Sequence, residues 1–319
     1  MINRLGREPR LLSLERWKHI SWVFFRSVLI IGISYVIIYP ILVKLSTALK
    51  HRSDIYKPTV IWVPENWSLE NFQIVIEMMN YWTTLANSVM LSGGTMLLQT
   101  ASCALAGYAF AKLKFKGINI LFALVIFTIL VPPQTIMVPS YLNYKNFDVF
   151  GIAGFLTGSQ GLKLIDTFWP FFISSITAMG LKNGLYIYIF TQFFRGLPKE
   201  LEEAALVDGA SVFKTFIRIM LPNAIPAIIT VMLFSFVWQW NDTFFTTLYL
   251  SNSNVMATEL ANLPGNAEAY IGEAGKIDWF YRSMLTNTGV LLAILPLIIM
   301  YLFVQRHFVE SVERSGLVG

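Results

Sequence analysis

The chain has 319 residues, 55% of them hydrophobic and only 13% charged, with a formal net charge of +5 and a mean hydropathy of +0.58. Soluble domains carry about a quarter charged residues, so this composition excludes a string of soluble domains and indicates a chain that crosses a membrane repeatedly. The positive charge does not mark a nucleic-acid binder, because Lys and Arg sit mainly in short segments flanking apolar runs, the pattern that sets membrane topology.

In chain order, the first 27 residues are basic (Arg4, Arg7, Arg10, Arg16, Lys18, Arg26) and lead into an apolar run at 28–43, extended by Trp22 to Phe25. No small-x-small cleavage site follows, so the run reads as an uncleaved first span. Six segments reach the roughly 20 apolar residues that a crossing helix needs: 22–45, 82–111, 118–141, 168–194, 224–250 and 284–304. None shows β alternation, and hydrocarbon offers the backbone no partners, so the predicted fold class is an all-α polytopic membrane protein with six transmembrane helices. Pro40, Pro132, Pro133, Pro226 and Pro296 lie in or near these spans. With the N-terminus in the cytoplasm, fifteen Lys and Arg fall inside and eight outside, which predicts cytoplasmic N- and C-termini. Residues 1–21 are then a cytoplasmic segment, 22–304 the transmembrane domain and 305–319 a cytoplasmic tail.

The outer segments 44–81 and 251–283 carry Trp62, Pro64, Trp67 and Tyr81, and Pro264, Gly265, Gly272, Gly275, Trp279 and Tyr281. Aromatics suit the membrane interface, and the turn formers predict folded loops and short helices. Small residues in the second span (Ala101, Ser102, Ala104, Ala106, Gly107, Ala109, Ala111) favour close helix packing, and the lone Cys103 among them reads as a packing residue. In the fourth segment Lys182-Asn183-Gly184 breaks the apolar run. Either the helix unwinds there and puts Lys182 and Asn183 on a solute pathway, or the span begins nearer Gly184 and Lys182 snorkels outward. Trp240, Asn241 and Asp242, late in the fifth segment, offer an aromatic face, an amide and a carboxylate. That set suits a sugar pathway, and equally suits interhelical hydrogen bonding beside an interfacial tryptophan.

Between the fourth and fifth segments lies a polar island, 195–222, on the predicted cytoplasmic side. Pro198 fits the first turn of a helix, and Glu200, Glu202 and Glu203 complement its dipole. Leu197, Leu201, Ala204, Ala205 and Asp208 recur at three- and four-residue spacing and share a face. Gly209 suits the left-handed residue that ends a helix. Ser211 can cap a second helix bearing Val212, Phe213, Phe216, Ile217, Ile219 and Met220, which Pro222 and Pro226 interrupt. The unit is helix, glycine turn, helix, with Glu203 free to meet a basic partner and two alanines that permit close approach.

Glu203-Ala204-Ala205 with Asp208-Gly209-Ala210 and Leu221-Pro222 resembles the E-A-A-x-x-x-G loop of ABC importer permeases, specifically the MalG-like carbohydrate family. The resemblance runs along nearly the whole chain, through Asn71-Phe72, Asn87-Ser88, Ala106 to Ala111, Phe115-Lys116-Gly117, Val131-Pro132, Pro139, Tyr141-Leu142, Gln192 to Arg195, Trp240-Asn241-Asp242 and the tail from Gln305 to Gly319. It implies a coupling helix from Glu203 to Gly209 seated on a cytoplasmic ATPase, with Ala210, Leu221 and Pro222 completing the docking loop. It also implies a second homologous permease subunit, two ATPase subunits, an extracytoplasmic solute-binding protein and an oligosaccharide as the sugar cargo, with lipid around and no nucleic acid. In the family the C-terminal tail also reaches the ATPase pair. No G-x-x-x-x-G-K-[ST] loop is present, so ATP and Mg belong on the partner and this subunit is expected to carry no cofactor, metal or catalytic residue. The competing class, an ion-coupled secondary transporter, has only Lys182 and Asp242 as intramembrane ionisable candidates.

Overall fold

The computed structural model describes residues 14–148, 151, 154–155, 158, 161–251, 254–273 and 278–316, with side chains described between 17 and 305 apart from Glu273. The N-terminal Arg4, Arg7 and Arg10, the outer Gly275 and the last three residues of the tail lie outside that set. The described elements are helical: α1 (Leu14–Ala48), α2 (Glu70–Met78), α3 (Tyr81–Lys112), α4 (Ile118–Leu130), α5 (Met137–Lys145), α6 (Trp169–Ile176), α7 (Asn183–Gly196) and α8 (Lys199–Val207). After these come α9 (Val212–Asn223), α10 (Ile225–Asn241), α11 (Phe244–Tyr249), α12 (Met256–Glu273) and α13 (Trp279–Gly316).

Among the described residues, three helices are long and apolar enough to cross a bilayer unaided: Trp17–Ala48, Tyr81–Lys112 and Trp279–Gln305. Two further helix pairs are apolar enough only when taken together and are sharply bent, each a broken span or a re-entrant loop. In the first, α4 and the chain from Pro133 meet at 101°, because Pro132 and Pro133 supply no N–H and force extended geometry on Val131 (φ −74°, ψ 121°). In the second, α9 and α10 meet at 79° about Ala224, flanked by Pro222 and Pro226. The fourth predicted segment is not continuous, since α6 and α7 are separated by residues 177–182. The fifth is cut after Asn241, with the short α11 following.

α3 is the centre of the bundle, packed on α6, α7, α10 and α12. Its small residues make this possible: a Cβ built on Gly107 would stand 2.5 Å from the Phe190 Cβ, and one on Gly94 2.6 Å from the Phe172 ring. Cys103 is fully buried in this seam. One apolar cluster joins α3, α7, α9 and α10 through Cys103, Tyr108, Tyr186, Phe190, Phe216 and Met220. A second, at the other end, joins α2, α10, α12 and α13 through Val75, Met79, Trp240, Leu263 and Met284. α1 differs from the rest, with no burial along its most apolar stretch. It rests chiefly on α13, where the Lys44 ammonium donates to Asn287 Oδ1 at 2.7 Å.

The described parts of segments 44–81 and 251–283 are folded against the helices. Asn71, buried on α2, donates from Nδ2 to Ala48 O (2.9 Å) and Lys50 O (2.8 Å), closing the C-terminus of α1. Asp54 is solvent-inaccessible and accepts from the Asn66 N–H (2.6 Å), Asn66 Nδ2 (2.7 Å) and Lys57 Nζ (3.2 Å). These bonds, the Asn66 backbone first, hold its carboxyl at about 2. The segment 251–283, expected as loops and short helices, instead contains the 18-residue α12 with Pro264 inside it. Burial of Leu263, Ala267 and Ile271 against α13 and α2 outweighs the turn preference of Pro264-Gly265.

Candidate functional site

The polar island folds as two helices around a turn. Leu197 and Pro198 are extended (ψ 139° and 135°). Pro198 is thus the N-cap of α8, one residue ahead of the first turn where its sequence position places it. Glu200 and Glu202 lie in the first turn, where a carboxylate offsets the exposed N–H dipoles. At the far end Gly209 has φ +76°. Its N–H donates to Leu206 O at 3.0 Å and the Ala210 N–H to Ala205 O at 3.0 Å, the paired bonds of a Schellman turn. Ser211 Oγ then accepts from the Lys214 N–H at 3.3 Å and starts α9. Within α9, residues Phe216–Met220 take wider π-type hydrogen bonding before the bend.

α8 is tied by its inner edge to the apolar cluster of α3, α7, α9 and α10. Glu202 accepts from the Tyr108 hydroxyl at 3.1 Å and pairs with Lys112 Nζ at 3.7 Å, with only 8% of the Lys112 side chain and 20% of the Glu202 side chain exposed. Lys112 also donates to Leu197 O at 3.4 Å, reaching the linker ahead of α8. Tyr108 packs edge-on to Phe194 and against Phe216, so one residue of α3 touches α7, α8 and α9. Ala205 is buried beside this network. The face predicted to run through Leu201, Ala204, Ala205 and Asp208 is therefore divided: Ala205 points inward with Glu202, whereas Leu201, Glu203, Ala204 and Asp208 are exposed. Val207 is 87% exposed and Phe213 62% exposed, so the free side of the unit is apolar with an acidic edge. Ala210 and Leu221 are half-buried and Pro222 is exposed at the α9–α10 bend.

The break between α6 and α7 is built by α3. Unwinding frees carbonyls that hydrocarbon cannot satisfy. Ser102 Oγ donates to Ser175 O (2.6 Å), Gln99 Nε2 to Leu181 O (3.1 Å), and Cys103 Sγ lies 3.8 Å from Asn183 O. Gln99 Oε1 accepts from the Ser235 hydroxyl of α10, so one amide ties three helices. Gly180 is required at this approach, since its Cβ would stand 2.7 Å from Gln99 Nε2. Asn183 is buried, and with its amide turned to satisfy its neighbours its oxygen accepts from the Met179 and Gly180 N–H groups. Lys182 is exposed, has φ +62° at the N-cap of α7, and holds its ammonium 4.6 Å from the centre of the Trp238 ring.

The fifth-segment trio is not one surface. Trp240 is buried and its indole N–H donates to Ala293 O on α13 at 3.2 Å. Asp242 accepts from the Thr246 N–H (3.0 Å) and hydroxyl (3.1 Å) and so caps α11. Asn241 is exposed, with Nδ2 donating back to Val237 O at 2.8 Å. Sequence reasoning missed Gln99 and the pairing roles of Glu202, Tyr108 and Ser102. Glu202 was legible only as a first-turn acid, Tyr108 only as part of a family segment, and Ser102 only as a small packing residue.

A bundle of broken and bent apolar helices around α3, with a helix–turn–helix projecting from one end, is the fold of a transmembrane permease subunit. Residues 104–314 match the family model described as binding-protein-dependent transport system inner membrane component, and the chain belongs to that family. It is 30% identical over 292 residues to an osmoprotective compounds uptake permease, GgtD, of Synechocystis, covering 89% of this chain and 88% of the relative. It is 28% identical to the arabinooligosaccharides transport system permease AraQ of Halalkalibacterium halodurans (90% and 93% covered). It is 27% identical to the melibiose/raffinose/stachyose import permease MelC of Bacillus subtilis (88% and 91% covered). The fold also matches a chain of a bacterial ABC transporter involved in import of the acidic polysaccharide alginate, with a TM-score of 0.69 at 18% identity, covering 95% of this chain and all of the other.

Proposed function

We propose that this subunit forms half of the translocation pathway of an ATP-driven importer for an oligosaccharide, and that α8 with its Gly209 turn is the seat of a cytoplasmic ATPase. The supporting observation is the division of α8. Its inner edge is fixed to α3 through Glu202, Tyr108 and Lys112, while Glu203, Ala204, Val207 and Asp208 stand free. A partner that moves this helix moves α3, and with it the packed centre of the bundle. ATP and Mg sit on that partner, a second permease completes the pathway, and a solute-binding protein delivers cargo to the outer side. Both termini are cytoplasmic, and the chain crosses six times, with α6 and α7 sharing the fourth crossing. Lys182, Asn183, Asn241 and their neighbours are the candidates for the cargo path. The sugar assignment draws on AraQ and MelC, permeases for arabinooligosaccharides and for melibiose, raffinose and stachyose.

The test is reconstitution of the full complex with its ATPase and binding protein. Glu203→Lys and Gly209→Pro are expected to abolish stimulation of ATP hydrolysis by loaded binding protein; stimulation at the wild-type level in both would remove the coupling assignment. Titration of the cognate binding protein with glycans, amino acids and peptides checks the cargo class, and selective binding of peptides would end the sugar reading.

A further inference from the structure

A small cavity lies where α3, α10, α11 and the start of α12 meet, lined by Ser88, Ser92, Gln239 and Thr246 among others. Gln239 is 5% exposed, and its Nε2 has no hydrogen-bond partner among the described residues. A buried amide N–H without an acceptor is rare and calls for an occupant. Two of the neighbouring hydroxyls, those of Ser88 and Thr246, have already used their protons. Ser88 Oγ donates to Thr84 O at 2.7 Å and accepts from the Met256 N–H at 2.6 Å. Thr246 Oγ1 donates to Asp242 Oδ2 at 3.1 Å. Ser88 Oγ therefore retains one acceptor lone pair and Thr246 Oγ1 two. Gln239 thus supplies a donor and its neighbours supply acceptors, with no charged side chain lining the site.

That combination selects one chemistry. A cation would meet the amide hydrogens, and an anion would find no charged side chain to balance it, whereas an O–H group accepts from Gln239 and donates to a hydroxyl oxygen. The space admits a group about the size of one water molecule. We infer that the Gln239 cavity is a binding site for a single hydroxyl, filled either by a resident water or by a hydroxyl of the transported solute. In either case it bridges α10 to α3 and α11, so the occupant is shared by helices that must shift relative to one another during transport.

The experiment is a near-atomic electron cryo-microscopy map of the full complex in nanodiscs, without sugar and then with raffinose and loaded binding protein. An oxygen-sized peak within about 3 Å of the Gln239 amide nitrogen in the sugar-free map identifies a water. A peak that appears only with raffinose identifies a cargo hydroxyl, and Gln239→Met then raises the half-saturating sugar concentration about five- to tenfold, the worth of one neutral hydrogen bond. Absence of a peak in both maps, or a peak that persists in Gln239→Met, overturns the inference. The sugar-free arm does not depend on the cargo assigned above, so the two proposals fail separately.

Discussion

The polar island and the break between α6 and α7 both interrupt apolar helices, yet they are made by opposite means. The island is local. A proline at the entrance, glutamates in the first turn, Gly209 at φ +76° and the Ser211 cap each act on residues within a few positions of themselves. The break is remote, because its carbonyls are satisfied by Gln99, Ser102 and Cys103, with Gln99 82 residues from the carbonyl it serves. A locally coded segment can fold and present a surface whatever its neighbours do. A remotely coded one exists only while the helix that supports it is in place, and it therefore reports on the position of α3.

The sharpest way to break this contrast is Gln99→Leu. It strands Leu181 O and the Ser235 hydroxyl in a dry seam, and the expected loss is about 3 kcal/mol, two buried groups at roughly 1–3 kcal/mol each, read as a lowered unfolding midpoint of the purified complex. Lys112→Met comes next. It leaves the Glu202 carboxylate partly buried with one partner, and about 2 kcal/mol is expected, below the range for a fully buried pair; Glu202→Gln in the same chain should restore most of it. Ser211→Ala removes a single cap and is expected to cost about 1 kcal/mol, visible as faster proteolysis of the loop. A cost as large as that of Gln99→Leu would show that the island is not locally coded.

The smallest effect is on the outer loop, through pH. Asp54 is depressed to about 2 from the ordinary carboxylate value of 3.8. Its contribution is complete above the unfolded value and is lost as pH falls from near 4 toward 2. Trp62 and Trp67 fluorescence should therefore hold steady from neutral pH to about 4 and change below it, and Asp54→Asn should flatten that change.

The same division governs what was legible. Hydropathy located the three long apolar helices, α1, α3 and α13, since a run of apolar residues has one cheap solution in lipid. Gly209 and Ser211 were legible because positive φ and side-chain capping are properties of single residues. Glu202 was not distinguishable from Glu203, because only the rotation of α8 against Tyr108 and Lys112 decides which carboxylate turns inward. Trp240 and Asp242 read together as one polar trio, but the chain bends after Asn241, sending the indole to Ala293 and the carboxylate to cap α11. Pro264 and Gly265 signalled a turn and lie within a helix, where the apolar face of α12 had more to gain from burial.

The attachment of α1 has a consequence for how the protein is made. Its polar tether, Lys44 to Asn287, spans 243 positions, so the helix it leans on is made long after it. At roughly 5–20 residues per second of synthesis, α1 waits on the order of tens of seconds in the bilayer before its neighbour exists. Its high hydropathy and length let it wait as an independent anchor, so α1 can enter the bilayer well before the helix it finally packs on.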